Sequence, residues 1–139
     1  MLLAGGDELN GYYQNMVKEY NLEDYVHFLG HRSDIPQILK ISNVVVSASK
    51  REGLPVNVME AFASGIPVVA LECRGMKDLI TNGKNGYIVN QDDRKEFIKR
   101  IINIKNKKIQ TSNISVDKFK LQNIYLSELK KNNIKLIYN

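Results

Sequence analysis

The sequence predicts an α/β fold in which a parallel β-sheet is flanked by helices. Short apolar, β-branched runs recur within the first 90 residues, and residues 43–48 and 67–71 are the clearest. Such runs are typical of strands that are buried in a parallel sheet. Segments of helical periodicity separate them, and an alternation of strands and helices indicates an α/β fold.

Capping and breaking residues place the boundaries of these elements. Asn57 is predicted to cap a helix that begins near Val58, and this helix is expected to stop at Gly65, because Pro67 forbids continuation. Aspartates at positions 92 and 93 open the last helix. The predicted order is strand 2–5, helix 9–20, strand 25–29, helix 34–41, strand 43–48, helix 57–64, strand 67–71, helix 76–82, strand 86–89 and a helix from 92 to about 105, with Phe97, Ile98, Ile101 and Ile102 on one face.

Charge is distributed unevenly along the chain. Residues 94–139 contain 12 Lys or Arg and 3 Asp or Glu, a net charge of +9, whereas residues 1–93 contain 8 and 12, a net charge of −4. Residues 106–115 are polar and are predicted to be a linker between a domain at 1–105 and a basic C-terminal helix and tail at 116–139. Because no recognition motif accompanies the lysines, nucleic-acid binding is not expected.

The single cysteine and the absence of a long apolar run indicate a cytoplasmic protein. The basic tail leaves one alternative open, namely peripheral contact with anionic lipid at the inner face of the membrane. An ordinary solvated face explains the same charge.

The segment 52–70 is the most informative part of the chain. Glu52 is predicted to leave the carboxyl end of a buried strand, which is where ligands bind in open α/β sheets. Gly53 lets a phosphate approach the backbone, and the following helix start favours anionic groups. Glu52 can accept hydrogen bonds from sugar hydroxyls and Glu60 from a ribose. This layout suits a nucleotide-sugar.

These residues also have ordinary structural explanations. Asn57 and Glu60 stand three apart at a helix start and could form a capping box. Glu52 alone could be a solvated loop residue. Gly5 and Gly6 could leave room for ligand atoms or form a tight turn before a helix capped by Asp7.

The segment 52–70, followed by Arg74-Gly75 and residues 78–80 and 82–89, closely resembles family 4 glycosyltransferases. The resemblance extends upstream through residues 26–30 and 34–36, and so covers roughly residues 2–105. It is of the bacterial exopolysaccharide or capsule type.

The resemblance implies the GT-B architecture, in which two Rossmann-like domains face each other across a cleft and the C-terminal domain holds the donor. This chain looks like that C-terminal, Rossmann-like domain. Because its opening residues resemble the second strand of the domain, we expect it to be truncated at the N-terminus. An acceptor domain is then also expected to be missing.

The resemblance also implies roles for individual residues. Glu52 corresponds to the catalytic-face glutamate that contacts the donor sugar, and Glu60 to the glutamate that contacts the ribose. Further donor-binding positions are the backbone at Gly53, Leu54 and Val56, the turn at Gly5 and Gly6, and the base-holding loop at Gly30, His31, Arg32 and Asp34. For His31 and Arg32, a solvated turn is an equal alternative.

The function implied is transfer of a hexosyl group from a UDP- or GDP-sugar to a glycan or lipid-linked acceptor, with retention of configuration. The isolated chain is expected to be inactive. No cofactor or metal is expected, because Cys73, His27 and His31 have no ligand spacing. The alternative is a non-catalytic α/β module for nucleotide binding or interaction, left from a truncated glycosyltransferase gene.

Overall fold

The computed structural model describes residues 1–7 and 9–106. Strands and helices alternate throughout this part of the chain, as predicted. They are β1 (Leu2–Ala4), α1 (Tyr12–Glu19), β2 (His27–Gly30), α2 (Ile35–Lys40), β3 (Val45–Ser47), α3 (Val56–Ala63), β4 (Val68–Leu71), α4 (Arg74–Lys77), β5 (Gly86–Val89) and α5 (Arg94–Asn106). The predicted linker at 106–115, apart from its first residue, and the predicted helix and tail at 116–139 lie outside the described residues.

The chain divides into two compact units, and the first spans Met1–Ile35. In it, β1 and β2 pair in parallel, with Leu2 opposite His27 and Ala4 opposite Gly30. None of the described residues of this unit is fully buried.

The second unit begins at Pro36. Its strands form a parallel sheet in the order β3-β4-β5, with Val45 opposite Val68 and Val68 opposite Gly86. Helix α3 packs against β3 and β4, and α5 packs against β4 and β5. Parallel strands leave their carboxyl ends at one edge of a sheet, so the loops after β3, β4 and β5 share that edge.

The core of the second unit is built on β4. Val68, Val69 and Ala70 have no exposed surface, because β4 lies between two strands and under two helices. This burial explains the uninterrupted apolar run that predicted the strand. Val69 forms a buried cluster with Val89 of β5 and Ile104 of α5.

Helix α5 begins as predicted but presents a narrower apolar face. The backbone N–H of Glu96 donates to Asp93 Oδ1 at 2.9 Å, which caps the helix. Phe97 and Ile101 pack against the core cluster, whereas Ile98 and Ile102 are 57% and 48% exposed. Of the four residues predicted on one face, Ile98 and Ile102 are therefore at its exposed margin, since each lies about 100° around the helix from the packed residue before it.

Helix α3 ends as predicted but begins differently. Its last turn closes on Gly65, which has a φ of +73°, and the N–H of Ile66 donates to the Ala61 carbonyl at 2.8 Å. The N-terminal cap is Pro55, whose carbonyl accepts from Val58 and Met59 at 3.0 and 3.2 Å.

Asn57 therefore lies inside α3 instead of capping it. The helix starts at Val56, which places Glu60 beyond the third helical position that a capping box requires. The capping-box explanation of Glu60 was wrong for this reason. The Asn57 Oδ1 atom instead accepts from the N–H of its neighbour Val58 at 2.9 Å.

Helix α4 was predicted at 76–82 but spans Arg74–Lys77. Two asparagine side chains hold the chain beyond it in turns. Asn85 accepts from the N–H of Thr81 at 2.7 Å and donates to the Leu79 carbonyl at 2.9 Å. Asn82 accepts from the N–H of Ile88 at 2.7 Å. These bonds compete with helical hydrogen bonds and direct the chain into β5.

Candidate functional site

The loop between β3 and α3, together with α3 itself, carries the predicted site residues of the second unit. Glu52 is half-buried, Gly53 is exposed, and Val56 is the exposed first residue of α3. Glu60 lies one turn further along the same exposed face, because residues four apart are neighbours on a helix. The structure thus places Glu52 in the loop before α3 and Glu60 in the middle of that helix. Leu54, which lies between Gly53 and Val56 in the chain, is also half-buried.

This helix start offers free backbone donors. Within the described residues, the N–H groups of Gly53, Leu54 and Val56 have no backbone or side-chain acceptor. Pro55 has no N–H to offer. Unpaired N–H groups at the start of a helix attract anions, because the helix dipole adds partial positive charge there. The loop can therefore bind an anionic group next to a carboxylate.

Gly75 supports this loop from the adjoining strand exit. Its N–H donates to the Glu52 carbonyl at 3.2 Å. A Cβ atom on Gly75 would lie 2.7 Å from the Gly53 carbonyl oxygen and 2.9 Å from that of Glu52. Such distances are shorter than van der Waals contact permits, so only glycine fits at this position.

In the first unit, the structure brings together the turns that follow β1 and β2. The N–H of Gly5 donates to the Gly30 carbonyl at 2.9 Å, and both glycines have positive φ angles, +144° and +65°. The His31 ring lies against Gly6, where a Cβ atom would be 2.7 Å from Nε2. Gly5, Gly6, Gly30 and His31 are therefore neighbours, as their places at two strand exits predict.

Arg32 and Asp34, the other two predicted residues of this loop, bind each other. Arg32 donates through Nε and Nη2 to the two carboxylate oxygens at 2.8 and 2.7 Å. These bonds lower the pKa of the Asp34 carboxyl and raise the pKa of Arg32. Within this unit, the guanidinium is therefore already paired with an anion.

Gln91 connects the loops that follow β3 and β4. Its Nε2 atom donates to the Glu72 carbonyl at 2.8 Å and to the Lys50 carbonyl at 3.3 Å. Lys50 precedes Glu52 by two residues, and Glu72 directly follows β4. The side chain of the β5 exit thereby links the β3 and β4 exits.

A cavity of about 700 Å³ opens at the carboxyl ends of β4 and β5. Glu72 and Lys77 form an ion pair within it, and the hydrogen bond to Glu72 raises the pKa of Lys77. Cys73 is a buried free thiol in the same wall. The full lining is Glu72, Cys73, Arg74, Lys77, Asp78, Asn90 and Gln91.

None of these lining residues was predicted to belong to the site. A signal was present, because Glu72 and Asn90 are the first residues after β4 and β5, where ligands bind in open α/β sheets.

In residues 1–7 and 9–106, no three His, Cys, Asp or Glu side chains lie close enough together to hold a metal ion. No helix of that part of the chain is long and apolar enough to cross a bilayer. The expectations about cofactors and cellular location stay predictions.

Comparison with known proteins identifies the family. The family model for glycosyl transferases group 1 matches residues 1–120. The Escherichia coli UDP-Gal:alpha-D-GlcNAc-diphosphoundecaprenol alpha-1,3-galactosyltransferase is 30% identical over 109 residues, which are 78% of this chain and 28% of that protein.

Two solved structures show the same fold. A variant of S. aureus TarM in complex with fondaparinux, alpha-GlcNAc-glycerol and UDP has a TM-score of 0.80 at 24% identity. The match covers 93% of this chain and 28% of the TarM chain. Anabaena HepE in complex with UDP-glucose has a TM-score of 0.68 at 24% identity, with coverage of 94% and 40%. The structural neighbours are GT-B glycosyltransferases, which confirms the predicted fold class.

The chain spans about a quarter of the length of the curated relatives it matches, 26% to 28% for the first three. The family model, in contrast, covers more than four fifths of the chain, from the first strand past the end of α5. The protein belongs to the glycosyl transferases group 1 family.

Proposed function

We propose that this chain binds the nucleoside-diphosphate-sugar donor of a glycosyltransferase that acts in polysaccharide biosynthesis. The loop between β3 and α3 carries the proposal. It combines a half-buried carboxylate, Glu52, with the free N–H groups of Gly53, Leu54 and Val56. A sugar diphosphate needs both features, because its hydroxyls donate to carboxylates and its phosphates accept from N–H groups.

Within this proposal the two glutamates have different partners. Glu52 contacts the donor sugar and lies on the catalytic face. Glu60 accepts from the ribose hydroxyls. The helix α3 start stabilises the negative charge that develops on the departing diphosphate, since oriented N–H groups are a usual means of doing so.

The turns of the first unit are assigned to the donor on the family resemblance. Gly5 and Gly6 leave room for donor atoms, and Gly30, His31, Arg32 and Asp34 are the proposed base-holding loop. The pairing of Arg32 with Asp34 uses two of the five guanidinium N–H donors and balances the positive charge, so the base contact is proposed through backbone groups or His31.

Relatives support UDP as the nucleotide. The E. coli relative is named as a UDP-Gal transferase, and the TarM and HepE structures contain UDP and UDP-glucose. We therefore propose a UDP-hexose as donor and keep a GDP-sugar as the second candidate. The acceptor proposed is a glycan or a lipid-linked sugar, as in the diphosphoundecaprenol name of that relative. Retention of configuration, operation without a metal and peripheral membrane contact are proposed on the family resemblance.

Calorimetric titration of the full 139-residue chain tests the proposal. UDP, GDP and their hexose conjugates are titrated into the wild type, Glu60→Ala, Glu52→Ala and Glu19→Ala. We expect Glu60→Ala to weaken binding of UDP and UDP-hexose alike, by about 1 to 3 kcal/mol, because a charge-assisted hydrogen bond is lost. Glu52→Ala should weaken UDP-hexose binding more than UDP binding.

Glu19→Ala is the matched control, because Glu19 is an exposed glutamate of helix α1 that has no proposed ligand. It should bind as the wild type does. Equal losses of UDP and UDP-hexose in Glu52→Ala would contradict the sugar contact. A folded wild type that binds none of the ligands would favour the non-catalytic module.

A further inference from the structure

We propose that Gln91 is a positioning residue that holds Glu52 in place for the donor sugar. The inference rests on the proposed function of Glu52, and it concerns a residue that lies 39 positions further along the chain. All the contacts that connect Gln91 to Glu52 lie within the second unit.

The side-chain amide of Gln91 makes two hydrogen bonds. Nε2 donates to the Glu72 carbonyl at 2.8 Å and to the Lys50 carbonyl at 3.3 Å. Both acceptors are main-chain atoms, so their positions are coupled to the backbone of two different loops. The amide supplies two hydrogens, one for each acceptor.

Lys50 lies in the chain between β3, which ends at Ser47, and Glu52. Residues 48–55 have no regular secondary structure, and such segments move more readily than the elements they join. A contact at Lys50 therefore restrains the loop on one side of Glu52.

A second contact restrains the loop at Glu52 itself. The N–H of Gly75 donates to the Glu52 carbonyl at 3.2 Å, and Gly75 follows Glu72 by three residues. The β4 exit thus holds the loop directly through Gly75, while Gln91 joins that exit to Lys50. The N–H of Glu72 also donates to the Val89 carbonyl of β5 at 2.7 Å, which anchors this exit to the sheet.

The arrangement makes a specific demand on residue 91. Alanine would remove both donors. Glutamate keeps the size and shape of glutamine but places oxygen lone pairs against two carbonyl oxygens. If only the size of Gln91 mattered, Gln91→Glu would leave UDP-hexose affinity unchanged. If the hydrogen bonds matter, Gln91→Glu should lower that affinity at least as much as Gln91→Ala does.

The experiment titrates UDP and UDP-hexose into Gln91→Ala, Gln91→Glu and the wild type, each also in the Glu52→Ala background. Both Gln91 variants should lower UDP-hexose affinity about 2- to 10-fold, the loss expected for a hydrogen bond, and should lower UDP affinity less, because the bare nucleotide contacts only the N–H groups of the loop. In the Glu52→Ala background the additional loss of UDP-hexose affinity should disappear, because it acts through Glu52. Gln37→Ala, at an exposed glutamine of α2, is the matched control and should have no effect.

A ligand-free measurement separates this inference from the proposed function. Amide hydrogen exchange of Gly75 should be faster in both Gln91 variants, since its acceptor is the Glu52 carbonyl, while exchange of Phe97 in α5 should not change. Equal losses of UDP and UDP-hexose, or the full loss persisting without Glu52, would overturn the inference. So would wild-type exchange at Gly75. If the wild type binds neither ligand, the proposed function fails, and the Gly75 exchange alone decides whether Gln91 positions the loop.

Discussion

At the level of single residues, Gly53 in the donor loop and Gly75 against it differ in the space around them. A Cβ atom on Gly53 would have no neighbour within 4 Å, whereas one on Gly75 would collide with the carbonyl oxygens of Gly53 and Glu52. A methyl group at the first position costs the fold nothing and extends into the space proposed for the donor. At the second position it displaces the loop itself.

We therefore expect opposite results from the two alanine variants. Gly53→Ala should keep or slightly raise the melting temperature, because alanine restricts the unfolded chain, and should lower UDP-hexose affinity about tenfold. Gly75→Ala should lower the free energy of unfolding by about 1 to 3 kcal/mol through overpacking. Thermal unfolding and calorimetry measure both quantities. Unchanged donor affinity in Gly53→Ala would count against a close approach of the diphosphate.

The Arg32–Asp34 pair predicts a pH effect in the first unit. Its hydrogen bonds lower the Asp34 pKa below the ordinary 3.8, so the carboxylate stays charged to lower pH than in the unfolded chain. The pair therefore stabilises the loop above the ordinary pKa, and this contribution is lost as the pH falls through the lowered value.

Replacing Arg32 isolates this effect. In Arg32→Gln the Asp34 pKa should rise towards its ordinary value of 3.8, as measured by NMR titration of the carboxyl carbon. Lys18→Gln, which removes an exposed cation of α1, should leave that titration unchanged. An identical Asp34 curve in Arg32→Gln would show that the two side chains do not pair in solution.

At the level of elements, the cap of α5 is the clearest stability determinant. Asp93 Oδ1 accepts from the Glu96 N–H, and α5 contributes Phe97, Ile101 and Ile104 to the core of the second unit. Asp93→Ala should lower the free energy of unfolding by about 0.5 to 2 kcal/mol. Asp92→Ala, one residue earlier, is the control, since its side chain has no hydrogen bond among the described residues. Urea unfolding compares them, and equal effects would contradict a specific cap.

Most elements could be predicted from the sequence because their signals are local. The valine run of β4 and the glycine that ends α3 act within a few residues. The start of α3 was missed because Pro55 caps through its carbonyl, which leaves no side-chain signal. The end of α4 was missed because Asn85 binds the backbone of Leu79 and Thr81, and Asn82 binds the backbone of Ile88 in β5, so these bonds replace helical ones.

The candidate site shows the same division. Glu52, Gly53 and Glu60 could be placed because a strand exit and a helix start are recognisable from pattern and from the family resemblance. The supporting contacts could not be predicted, because they join residues far apart in the chain. Gln91 donates to a carbonyl 41 positions earlier, and residue 75 must be glycine because the carbonyl oxygens of residues more than 20 positions earlier leave no room for a Cβ atom. Contacts of that kind depend on strand order, which one sequence does not state.

At the scale of the whole molecule, the chain corresponds to about a quarter of its curated relatives' length. We expect the 139-residue chain to bind UDP-hexose without transferring the sugar, because the family resemblance implies that the acceptor binds to a separate domain. An assay of UDP release, with a lipid-linked sugar as acceptor, measures this. Release above the rate of the Glu52→Ala variant would show that the chain is itself a complete transferase.

The buried thiol of Cys73 has a practical consequence. It is the only cysteine of this chain, it is 7% exposed, and it lines the cavity at the ends of β4 and β5. A thiol-alkylating reagent that enters the cavity meets a largely covered thiol, so the rate of alkylation reports how readily this sheet edge exposes it. The native sequence thus contains a single labelling position, and ligand protection of that edge can be followed without introducing any other residue.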